Sequence, residues 1–261
     1  MPSILRPVIL SSAIFAASVL AAIPPAASEV VSRARACIGS ESALDALVTL
    51  KITGRILPAT PEMPEARIML TARRPLSQRL EVQIGDIIET TLLNGKRGCL
   101  MRSSASMRGS HQMRALSPQE SERLQLSTVN LFSFYRPDVR SGENLTYEGI
   151  VLYRGVRCHH LVYTCPDGST TTRYFAISDN RCVSSRDCFG VETVESGGQF
   201  VGGIRFPEKI ESFQGGQLLH TLVLEKILVN KPLRVGVFSV PSRTSPGEVI
   251  VSGDEWSARL Q

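Results

Sequence analysis

A mainly β fold is expected of this chain: an antiparallel meander of about eleven strands set against two helical patches. Two observations carry the expectation. Residues 144–229 read as strand after strand with turns between them, and a long meander can bury one face and manage its edges only as a barrel, a sandwich or a half-open trough. The meander also follows an export signal. After Arg6, residues 8–22 carry no charge, and Ala26-Ala27-Ser28 offers a small-residue cleavage site before Glu29. The apolar run is shorter than the about 20 residues that cross a bilayer, and no second run of that length follows, so the chain is expected to be soluble after cleavage. Cys37 lies well past the apolar run, so a lipid anchor is not expected there.

The elements follow in order. Val30, Ala34, Cys37 and Ile38 recur at helical spacing before Gly39, and Ser40 is placed to cap a second short helix. Leu50, Ile52 and Ile56 alternate with Lys51, Thr53 and Arg55, the pattern of a strand with one wet face. Ile68 and Leu70 repeat it after a proline-rich turn, and Leu80, Val82 and Ile84 repeat it again. Asn94-Gly95 predicts a hairpin between residues 87–93 and 97–102. The polar segment 103–115 shows no period and reads as a loop. Ser117-Pro118-Gln119-Glu120 has the form of a capping box with proline in the first helical position. The helix that follows, to about Ser133, spreads Leu124, Leu126, Val129, Leu131 and Phe132 around its turns. It suits a plug at the mouth of a trough as well as a helix packed permanently on a sheet. Strands at 145–152, 156–164, 170–178, 181–189, 192–201, 204–213 and 217–229 complete the meander, with a bend at Gly197-Gly198 and Gly202-Gly203.

Roughly 233 residues remain after the signal, a length that fits one β-rich domain. The whole chain has 29 Lys and Arg against 24 Asp and Glu, a formal net charge of +5. The basic residues are scattered, which argues against a nucleic-acid site. Six cysteines in an exported chain suggest disulfides. Hairpin turns at 166–169 and 179–180 would place Cys158 and Cys182 on either side of Ile177, about 9.6 Å apart and beyond bridging range. Cys165 and Cys188 stand in a similar relation. A bridge to Cys37 or Cys99 and no bridge at all both remain open.

No constellation for catalysis or metal binding emerges. HExxH, GxSxG, a phosphate loop and CxxC are absent. His159 and His160 adjoin Cys158, but neighbours on a strand point to opposite faces and cannot serve one site. His111 and His220 are isolated. A non-enzymatic protein without cofactor is expected.

The order of a helix, Leu50-Lys51-Ile52-Thr53-Gly54, Arg73-Arg74-Pro75, Asn94-Gly95-Lys96, Tyr147-Glu148-Gly149, Val156-Arg157-Cys158 and Asp167-Gly168 resembles the outer-membrane lipoprotein-sorting family, the LolA/LolB-like periplasmic carriers. Residues 203–210, Val229-Asn230-Lys231-Pro232-Leu233 and Val237-Phe238-Ser239-Val240-Pro241 extend the resemblance to roughly residues 29–241. It implies an incompletely closed antiparallel β-barrel with a helical lid over a dry cavity that holds acyl chains. Arg74 matches the family's lid-latching arginine, whose guanidinium donates to lid carbonyls. Leu50, Ile52, Ile68, Leu70, Leu80, Val82, Leu124, Leu131 and Phe132 are the expected lining. Two departures stand out: Cys99 takes the place of a frequent tryptophan, and 103–118 is rich in Ser, Met and Arg.

The expected organisation is therefore a signal peptide at 1–28, a half-barrel domain at 29–241 and a tail at 242–261 that contains Trp256. The expected role is periplasmic carriage of lipid or acylated protein, with transient membrane or membrane-protein contacts. Burial of each methylene contributes about 0.8 kcal/mol, so an apolar trough needs no special polar group to hold a chain. A lipid- or peptide-sensing module of the same fold is the alternative.

Overall fold

The computed structural model describes residues 26–104, 106, 111–139, 141–241 and 248–250. Helix α1 (Ala27–Ile38) ends at Gly39, and α2 (Glu41–Asp45) begins at Ser40, whose side chain accepts from Ala43 N. A run of antiparallel hairpins follows: β1 (Thr49–Pro58), β2 (Ala66–Arg73), β3 (Ser77–Ile84), β4 (Ile87–Asn94), β5 (Arg97–Ser104) and β6 (His111–Ala115). Helix α3 (Pro118–Ser133) then leads to a second run of strands. These are β7 (Asn144–Tyr153), β8 (Val156–Thr164), β9 (Thr170–Ala176), β10 (Cys182–Arg186), β11 (Val191–Ser196), β14 (Lys209–Gln214) and β15 (Gln217–Val229). Between β11 and β14 a separate hairpin forms from β12 (Gln199–Val201) and β13 (Ile204–Phe206). With β16 (Glu248–Ile250), fourteen strands make one sheet in the order β16-β6-β5-β4-β3-β2-β1-β15-β14-β11-β10-β9-β8-β7. Strands β16 and β7 are edges that do not pair with each other, so this is an incompletely closed barrel, with α3 as its lid.

The two halves join through β1 and β15, the longest element of the sheet, paired from Leu50↔Val229 to Pro58↔His220. Their register shifts between Thr53 and Gly54, where Glu225 is passed over, and such a bulge increases the local twist that curls a sheet. A Cβ on Gly54 would sit 2.1 Å from Val223 O, so the two backbones approach too closely for any side chain. Gly54→Ala is expected to destabilise the protein by about 1–3 kcal/mol. An unshifted urea midpoint would show that the bulge relaxes freely.

Several expectations are corrected in detail. The segment 103–115 is not simply a loop: β5 runs on to Ser104, and β6 pairs with it so that Met101 faces Met113. Met113 is buried with Leu92 and Cys99 beneath Val240. Five residues with only one large apolar side chain give too short an alternation to read as a strand. The strands expected at 192–201 and 204–213 each break in two: Gly197, with φ of +69°, turns the chain out of the sheet, and the second strand is interrupted at Pro207-Glu208, where proline has no N–H to donate. The resulting β12–β13 hairpin buries Ile204 and Phe206 inside and bridges Gly39. The two-residue loop after β4 is Gly95-Lys96, one position later than read, with Asn94 already paired to Arg97. Part of the expected tail, β16, pairs parallel with β6; Trp256 and residues 1–25 lie outside the described residues.

The cysteine geometry also differs. Cys158 faces Ala176 and Cys182 faces Phe175, so the two thiols leave opposite faces of the sheet and do not flank Ile177. Cys37, Cys158, Cys165, Cys182 and Cys188 are free thiols in this structure.

Candidate functional site

The lid is anchored at its start by the capping box that the sequence predicts. Ser117 Oγ accepts from Glu120 N at 3.2 Å, and the Glu120 carboxylate accepts from Ser117 N at 2.8 Å. Arg114, on β6, adds two hydrogen bonds to that carboxylate at 2.8 and 2.6 Å. These donors, Arg114 first, hold the Glu120 carboxyl down to about 2 from its ordinary 4.5. A carboxylate depressed in the folded state stabilises it fully above the unfolded value and loses that effect as pH falls. Lid helicity is therefore expected to weaken between about pH 4.5 and about pH 2, and Glu120→Gln should flatten that part of the pH profile. Equal acid sensitivity in the variant, followed by hydrogen exchange in α3, would count against the box.

Midway along α3, buried Thr128 meets Gln78 of β3 through Oγ1 at 3.0 Å from Gln78 Oε1. One turn on, Phe132 is buried among Leu44, Leu47, Leu50, Ile52, Ala72, Phe206, Leu224 and Ile227, with side chains from α2, β1, β2, β13 and β15 around it. The lid thus seals the trough by inserting an aromatic plug. Its C-terminus is strained: Phe134 and Tyr135 have φ of +46° and +68°, a region that side-chain-bearing residues adopt at a cost of about 1–3 kcal/mol.

Two arginines hold this strained end. Arg74 donates to Phe132 O at 2.9 Å and to Leu44 O at 3.2 Å. Its Nε is buried and donates to no acceptor among the described residues. Arg35, on α1 and 3% exposed, donates to Ser133 O at 2.6 Å and Phe134 O at 3.0 Å while its other nitrogens grip Glu41 at 2.7 and 2.6 Å. Tyr163 O–H completes the set by donating to Tyr135 O at 2.8 Å. Arg35 was not singled out from the sequence. The one signal that could have found it is its position on the apolar side of α1, next to Ala34 and three residues before Ile38, where a charge needs a partner.

Beside the plug lies a cavity of about 720 Å³, within the about 300–1,000 Å³ of ordinary ligand sites. Its walls come from α1, the end of α3, β1, β9–β11, β13, β14 and β15. Of the expected lining residues, Leu50, Ile52 and Leu131 face it. Ile68, Leu70, Leu80 and Val82 share the same sheet face by register but lie on the other side of the plug and do not line this cavity. Leu124 sits a turn before Thr128, toward β3, and Phe132 fills space rather than bounding it. The cavity is displaced toward β9–β14 because α1 and the β12–β13 hairpin roof that half of the sheet, a long-range arrangement that no local pattern encodes.

The cavity has two kinds of wall. Leu50, Ile52, Leu131, Phe134, Ile210 and Leu224 make the side of α3, β1, β14 and β15 apolar, while Arg173, Asp179, Arg181, Asp187, Glu195 and Arg205 place charge of both signs on the side of β9–β11 and β13. Arg173 lies on the inner face of β9 between the rings of Tyr163 and Tyr135, 4.3 and 5.4 Å from their centroids. Glu195 lines the cavity and is exposed to solvent through it. Burial pushes its carboxyl up against the opposing pull of Arg205 and Arg173. The Cys182 thiol also lines the cavity, and burial and Glu195 push it up to about 12, against formation of the thiolate. His159 and His160 do face opposite ways. His159 is buried against Tyr147 O–H, 3.1 Å from Nδ1, and His160 stacks on Tyr174. Among the described residues no group of three His, Cys, Asp or Glu side chains could hold a metal ion, and no helix is long and apolar enough to cross a membrane.

No protein-family model and no curated protein match the chain. Solved structures do. A DUF1329 family protein from Desulfovibrio piger superposes with a TM-score of 0.55 at 10% identity, over 82% of this chain and 97% of its own. A domain described as an outer membrane lipoprotein-sorting protein, from Vibrio parahaemolyticus, gives 0.53 at 8% identity over 82% and 97%. A LolA superfamily protein from Nitrosomonas europaea gives 0.52 at 13% identity over 83% and 99%. At such identities the similarity is one of fold, and the fold is LolA-like.

Proposed function

We propose that the chain is an exported, non-enzymatic carrier that holds lipid or the acyl chains of lipoproteins in the cavity beneath α3 and transfers them between membranes. In this reading residues 1–28 direct export to the periplasm and residues 29–241 form the carrier domain. The observation that carries it is the cavity itself: a roofed, half-apolar space next to a lid held by a few arginine hydrogen bonds. Leu50, Ile52 and Leu131 contact the chain, and Arg74 with Arg35 latches the lid. Release follows from the balance between closed and open lid, each with its own affinity for lipid. In the open state, withdrawal of Phe132 joins the cavity to the apolar face of β2 and β3, where Ile68, Leu70, Leu80 and Val82 wait.

Native mass spectrometry of the purified mature protein is expected to show bound lipid or acylated peptide, or its uptake on addition. A protein that arrives empty and ignores added lipopeptide is not a carrier.

A further inference from the structure

We propose that the polar end of the cavity, centred on Arg173, is a head-group site for a single-chain amphiphile with an anionic head, a carboxylate or a phosphate. The inference rests on the carrier reading and specifies its cargo.

The first ground is a charge without an ion pair: Glu195, on the same wall, acts on Arg173 only through space. Arg173 is 8% exposed and lines the cavity. Its Nε donates to Ser185 Oγ at a long 3.4 Å, and no carboxylate among the described residues lies within ion-pair distance of it, although eleven such pairs occur elsewhere. A buried guanidinium without a carboxylate is costly. The faces of Tyr135 and Tyr163 offset part of that cost but leave the guanidinium's planar donor edge, the geometry that grips carboxylate or phosphate in two bonds, without an anion.

The second ground is the distribution of the walls. An acyl chain lying along Leu50, Ile52, Leu131, Phe134, Ile210 and Leu224 brings its head to Arg173 and Arg205. The third is volume. At about 720 Å³ the cavity lies within the range of sites that take one small-molecule ligand.

The test compares palmitate, hexadecyl phosphate and hexadecanol, which share a chain and differ in the head. The protein is expected to bind at least one of the anionic probes about tenfold or more tightly than hexadecanol, and Arg173→Leu to bring that ratio close to one while hexadecanol binding is kept. Whichever anion binds more tightly assigns the head as carboxylate or phosphate. Equal binding of all three overturns the anion site and leaves the carrier reading standing, whereas binding of none overturns both. Because Arg173→Leu removes a buried side chain and can unfold the wall, the unmodified protein supplies a second readout. Palmitate should protect Arg173 from phenylglyoxal, read by peptide mass spectrometry, more than hexadecanol does. Equal protection overturns the site.

Discussion

Phe132→Ala is expected to lose about 3–5 kcal/mol from the closed state, the cost of removing a buried phenyl ring from a packed core. The ring belongs to a cluster with nine other buried side chains, drawn from α2, the loop after it and the strands, and it is the only buried member that α3 supplies. The loss should therefore fall on lid opening more than on the sheet. Hydrogen exchange should report it as faster exchange along α3, with β1, β2 and β15 still protected. If α3 and those strands lose protection together, α3 is a permanent part of the core and not a lid. In the same variant the space vacated by the ring adds to the cavity, so retention of a bound lipid in mass spectrometry should fall as the lid opens more often.

The second large effect concerns the latch, and it ranks the two arginines. Arg35 makes four hydrogen bonds, two of them to the carbonyls of the strained Ser133–Phe134 turn. Arg74 makes two, with one donor left over. Charge-assisted hydrogen bonds contribute about 1.5–3 kcal/mol each, and the turn they hold stores strain that is released when they go. Arg35→Met is expected to cost about 2–4 kcal/mol of lid closure, and Arg74→Leu less. Transfer of lipid to acceptor vesicles should speed up in the same order. A larger effect at Arg74 would show that the Phe132 carbonyl, and not the turn after it, is the point of control.

Much of this was legible in the residues. The period-two alternation in β1, β2 and β3, the Gly-bearing turns and the Ser117–Glu120 capping box each encode structure within a few positions, where local sterics and hydrogen bonding decide the outcome. Arg74 was legible only by resemblance, and the structure places its guanidinium on a lid carbonyl. Strand β6 was missed because its stability comes from pairing with β5 and from burial of Met113, not from its own five residues. The cysteine register was missed by one or two positions, because the turns close between Cys165 and Ser169 and between Ala176 and Arg181, which changes which residues oppose each other.

The amino-acid order alone was enough to specify a mainly β chain, its hairpins and the start and end of its covering helix, since each depends on neighbours in sequence. Where the empty space lies, which arginines guard it and which charge faces into it depend on contacts across the chain, Arg35 reaching Ser133 being one such case. Those features follow from how α1 and the β12–β13 hairpin fold over one half of the sheet, and packing at that range leaves no periodic trace in the sequence.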